Sequence, residues 1–85
     1  MTQNALELIN RAITSLDAAA PEVHPSRARV REELVEMQRQ VREGNVPERS
    51  ARTPGLARLV ADSWPVDSQA GSDVITAELA YLALP

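Results

Sequence analysis

Apolar residues recur along the first half of the chain at alternating spacings of three and four, first as Leu6, Ile9, Ile13 and Leu16, then as Val30, Leu34, Met37 and Val41. That period belongs to helices that bury one stripe. In the first segment Ala5, Ala12, Ala19 and Ala20 widen the stripe to roughly 160°, with Glu7, Asn10, Arg11, Thr14 and Asp17 opposite. Asn4 and Glu7 stand at capping-box spacing and Pro21 blocks continuation, which predicts a helix over residues 4–19. Ser26 is placed to cap a second helix over residues 27–43, and Gly44 and Asn45 occupy its C-terminal stop positions. The connection Pro21-Glu22-Val23-His24-Pro25 is short and stiff, so the two helices should form an antiparallel hairpin.

The second seam has unequal edges. Arg27, Arg31, Gln38 and Arg42 flank it on one side, while Glu33 and Glu36 flank it on the other and Arg29 is the exception. Such edges suit a helix that selects the orientation of its neighbour through charge. Residues 44–53 then carry no periodic pattern and read as a flexible linker. Thr53 is placed as a cap and Pro54 as a first-turn residue of a short helix, 54–64, that carries Leu56, Leu59, Val60 and Trp64 and ends at Pro65. Ser68 or Ser72 could cap a last helix, 72–84. Nine of the eleven residues from Val74 to Leu84 are apolar, so this helix is apolar almost all the way round, broken only by Thr76 and Glu78.

The expected fold class is therefore all-α: one domain made of a helical hairpin followed by two shorter helices. With 85 residues there is little interior in which to bury the last helix on every side, so completion of the bundle by self-association or by a partner is the economical expectation. Leu, Ile and Val make up about 24% of the chain, just above the level at which disorder becomes the better expectation. There is no cysteine, which removes disulfides and thiolate ligands and suits a reducing cytoplasm. The first ten residues hold no cation before their apolar positions, and no apolar run reaches the 18 or more residues that span a bilayer, so no membrane role is expected. All nine cations are arginine and thirteen residues are alanine, a bias expected of a GC-rich bacterial or phage genome.

Candidate chemistry is sparse. His24 is the single histidine, set between prolines in a connection that reads as exposed, and a histidine-based dyad or two-histidine metal site is not expected. Glu32, Glu33 and Glu36 lack the Glu-x-x-His element of a di-metal bundle. Ser63, Ser68 and Ser72 have no general base nearby in sequence, and the three glycines form no phosphate loop. No catalytic residue, metal or cofactor is implied, and the chain reads as non-enzymatic.

Charge is unevenly distributed although the net charge is −3. Eight of the nine arginines lie within residues 27–58, facing five glutamates, whereas both flanks are acidic. Arg49, Arg52 and Arg58 follow one another with no acid between them and are the candidate phosphate ligands of a nucleic-acid-binding regulator. The favoured expectation is a protein–protein interaction module: a regulatory adaptor, an antitoxin, immunity or anti-defence protein, or an accessory subunit. Its contacts would come from Trp64, Val74, Ile75, Leu79, Tyr81, Leu82 and Arg58, the aromatic and arginine side chains being the usual interface anchors.

Overall fold

The computed structural model describes residues 2–52 and 54–85. Among them are four α-helices, α1 (Thr2–Ala18), α2 (Arg27–Glu43), α3 (Leu56–Ser63) and α4 (Gln69–Leu82), and no strand. Single 3-10 turns at Pro21–Val23 and Arg49–Ala51 shape the first and second connections. The all-α class and the leading helical hairpin match the expectation from periodicity.

α1 packs along both α2 and α4, and α3 packs along α4. The hairpin is antiparallel: Asn10 accepts from Gln38 at 2.6 Å, and Asp17 near the end of α1 accepts from Arg31 near the start of α2 at 2.7 Å. Arg27, Arg31 and Gln38 of the basic edge of the second seam thus bond to α1 and its end. Ser15 donates to Asp73 across α1 and α4, while Gln40 accepts from the Tyr81 hydroxyl across α2 and α4 at 2.6 Å.

The core takes Val30, Leu34, Met37 and Val41 from α2, the whole of its predicted seam. From α1 it takes Ala5, Ile9, Ala12 and Leu16, while Leu6 and Ile13 remain partly buried. The stripe of α1 is therefore rotated toward its alanines. The cause is a helix held between two neighbours, where small side chains allow close approach on the central line and larger ones fill the flanks. Gly71 performs the same service between α3 and α4, since a Cβ at that position would lie 3.0 Å from Val60 Cγ1.

Several predicted boundaries shift. α1 begins at Thr2, leaving Asn4 as an exposed residue inside the first turn. Ser26 occupies the position before α2 in the left-handed region (φ 64°) and makes no side-chain cap, because the tight proline-bounded connection sets its backbone. α2 ends as expected, with Gly44 at φ 66° and the N–H groups of Gly44 and Asn45 returning to the carbonyls of Val41 and Gln40. α3 starts at Leu56, after Pro54 rather than on it, and the expected cap Thr53 lies outside the described residues. α4 starts at Gln69, capped by Ser68, whose hydroxyl accepts from Gly71 N–H at 3.0 Å.

Replacing Ile9 or Leu34 with alanine should cost about 2–5 kcal/mol, since each removes buried methylenes from a site with no exposure. Ile13→Ala should cost less, and exposed Glu32→Ala should stay within about 0.5 kcal/mol. Urea denaturation of the four variants measures the order; equal losses for Ile9 and Ile13 would contradict the rotated stripe.

Candidate functional site

The buried polar side chains among the described residues, His24, Arg52 and Glu78, all bond to groups at helix ends. The first N–H groups and last carbonyls of any helix lack partners within it, and four short helices leave many of them. Glu78, the polar break in α4, is buried and accepts from Leu56 N–H at 2.6 Å and Ala57 N–H at 3.2 Å, closing the start of α3. Arg27 donates to the carbonyls of Leu16 and Ala19 at the end of α1.

Arg52 does the same for α4. Its buried guanidinium lies 2.6 Å from the Leu84 carbonyl, 3.1 Å from those of Tyr81 and Pro85, and 2.6 Å from that of Pro47, with its carbon 5.8 Å from the centre of the Tyr81 ring. Arg49 reaches the carbonyls of Ala83 and Leu84 at 3.5 Å. Of the candidate phosphate set, Arg52 is turned onto the protein's own backbone, while Arg49 and Arg58 stay exposed. Where a flexible linker was expected, residues 47–52 are tied to the end of α4 by a fork of charge-assisted bonds.

His24 is likewise not the exposed loop residue its neighbours suggest. The 3-10 turn at Pro21–Val23 curls the connection so that the ring is only 7% exposed and stands edge-on to Trp64, with centroids 4.9 Å apart at 84°. Nδ1 lies 2.7 Å from the Ala20 carbonyl and Nε2 lies 2.7 Å from Ser68 Oγ. Ser68, expected to have no histidine near it, has one: separated by 44 positions, the two residues meet in space. Beside them is a cavity of about 320 Å³ lined in part by Ala18, Ala19 and Ala70.

The predicted interaction residues divide into two groups. Trp64, Val74 and Tyr81 are core residues, with exposures of 5%, 0% and 4%. Trp64 fastens the end of α3 to the hairpin, its indole N–H donating to the Pro25 carbonyl at 2.8 Å. The last helix is thus mostly covered by its own chain. Leu79 is 60% exposed, Ile75 and Leu82 are partly buried, and Arg58 makes only a loose 3.8 Å pair with Asp62. On α4 the three apolar residues fall within an arc of roughly 60°. A groove continues their surface toward α3 past Ala61 and Val66, the latter fully exposed.

Among the described residues no helix is long and apolar enough to cross a membrane, and no group of three His, Cys, Asp or Glu side chains is arranged to hold a metal ion. No protein-family model and no curated protein sequence matches the chain.

Arg52→Gln should lower stability by about 1.5–3 kcal/mol, the value of a charge-assisted hydrogen bond lost from a buried site. Arg52→Lys should not restore it, since an ammonium cannot reproduce the planar fork. Chemical denaturation of both variants checks this, with Arg49→Gln near parental stability as the comparison.

Burial pushes the Tyr81 hydroxyl above its ordinary 10.0; the nearby Arg52 charge opposes the shift, and Glu36 and Glu33 reinforce it. The fold therefore holds the phenol proton more tightly than the unfolded chain does. The resulting stability is fully present below pH 10.0 and is lost as pH rises through the folded value. Tyr81 is the single tyrosine, so phenolate absorbance should titrate above 10.0 in the native protein and return to the ordinary value in denaturant. In Tyr81→Phe the alkaline fall in Tm should flatten.

Proposed function

We propose that this protein is a small helical interaction module that works by pairing through the outer side of α3 and α4, with a second copy of itself as the occupant. The observation that carries this reading is the apolar strip of Ile75, Leu79 and Leu82, continued by Ala61 and Val66. In a chain this short, large apolar side chains are scarce, and Leu79 and Val66 are left at 60% and full exposure while alanines fill much of the core. A contiguous strip of this kind is costly in water and favours a covering surface.

Charge selects the occupant. Arg58 and Asp62 stand one turn apart on the outer face of α3, 91% and 70% exposed, too far apart to satisfy each other well. Across a two-fold axis each would meet its opposite on the other copy, since an isologous interface pairs residue i with j and j with i. Of the interaction residues read from sequence, Ile75, Leu79, Leu82 and Arg58 belong to this surface. Its regulatory output would be occupancy of the strip, as in an adaptor or accessory subunit.

Sedimentation velocity over a concentration series tests the reading. The parent should form a dimer, and Leu79→Asp should weaken it by roughly tenfold or more while leaving the monomer's helical circular dichroism intact, because Leu79 is exposed in the single chain. Arg58→Asp should also weaken pairing, and Arg58→Asp combined with Asp62→Arg should restore it. A parent that stays monomeric, or a dimer indifferent to Leu79→Asp, would overturn the proposal.

A further inference from the structure

Ser68 and His24 carry an inference independent of the pairing surface. A carbonyl oxygen can only accept, so the 2.7 Å contact between His24 Nδ1 and the Ala20 carbonyl places the ring proton on Nδ1. In the neutral ring Nε2 is then an acceptor, and Ser68 Oγ, 2.7 Å away, donates to it. Nucleophile, base and orienting acceptor stand in the order that general-base activation of a hydroxyl requires. Gly71 N–H points at the same Oγ from 3.0 Å and stabilises negative charge that develops there. The ring is held edge-on against Trp64, which fixes its plane.

The dyad opens onto space suited to a small substrate. The adjoining cavity of about 320 Å³ presents the methyl groups of Ala18, Ala19 and Ala70 together with the polar Gln69. Ser15 and Gln69 both donate to Asp73, bracing two of the residues that line it. Among the described residues the N–H groups of Gln69 and Ala70, at the first turn of α4, have no backbone acceptor and follow Ser68 directly in the chain.

We infer that Ser68 and His24 form a nucleophile–base pair that accepts a small acyl group, of acetyl size, from an activated ester. Ser68 Oγ attacks the carbonyl carbon and its proton passes to His24 Nε2. The bond from that carbon to the leaving oxygen then breaks, the leaving oxygen departing with the proton from Nε2, or as a stable anion while that proton passes from Nε2 to solvent, and an ester remains on Ser68.

The experiment uses the full chain and 4-nitrophenyl acetate at neutral pH, following nitrophenolate release, intact mass and the modified peptide. The expected result is one acetyl group on Ser68. Ser68→Asp keeps an N-cap acceptor for α4 and so retains the fold, but should take no label at that position. His24→Gln should slow acylation of Ser68 by roughly 10²–10⁴-fold, the usual worth of a positioned base. Ser68→Cys should restore labelling at position 68. Absence of an ester on Ser68 in the parent, or equal labelling of Ser68 in parent and His24→Gln, would overturn the inference. None of these substitutions touches the residues varied in the pairing test, so the two proposals fail separately.

Discussion

The Arg52 guanidinium is the group on which the assembly of this protein most depends. Carbonyls at the end of α4 and the carbonyl of Pro47 converge on it, so one side chain joins the connection after α2 to the last helix. An 85-residue chain divided into four helices has a high ratio of helix ends to helix interior. Every buried end must find a partner, because an unpaired backbone group away from water costs as much as a lost hydrogen bond. Arg52 answers this for the end of α4, Arg27 for the end of α1 and Glu78 for the start of α3. No buried side-chain nitrogen or oxygen is left without a partner among the described residues.

These polar clasps act where the apolar core is thin. α1 is the central helix and brings alanine as often as larger residues to its buried line, which draws α2 and α4 close and limits the apolar area gained. The aromatic side chains compensate at the two ends of the bundle. Trp64 locks the end of α3 to Pro25, and Tyr81 bridges α4 to Gln40 while lying under Arg52. Both combine a large apolar surface with one hydrogen bond, an economical choice in a small interior.

What this leaves outside bears on function. With the core built from Ile9, Leu16, Leu34, Leu56 and their neighbours, the exposed Leu79 and Val66 have no role in holding the single chain together. Under the pairing proposal they would supply surface for a second copy. The packing that buries Trp64 also presses His24 onto Ser68, so the aromatic clasp that closes the hairpin sets the geometry of the dyad. Binding and reactivity would thus be by-products of different parts of one scaffold, one of an uncovered flank of α4 and one of its capped beginning.

The sequence by itself determined the helices and the seam of α2, because periodicity, proline stops and the Gly44-Asn45 end are local properties that tertiary contacts had no reason to change. Of the interaction residues it proposed, Leu79 and Arg58 lie exposed, Ile75 and Leu82 are partly buried, and Trp64, Val74 and Tyr81 belong to the core. What it could not supply was which groups meet across long separations. Glu78 reads as a flaw in an apolar helix and is the cap of α3; Arg52 reads as a loop cation and is the cap of α4; His24 reads as exposed and is packed under Trp64 against Ser68. The nearly all-apolar last helix has, by its pattern, too little interior to bury it, yet α1 and α3 both pack along it. For Glu78, Arg52 and His24 the deciding contact lies 21 to 44 positions away, and its energy comes from excluding water around a polar group, which only the packed tertiary structure creates.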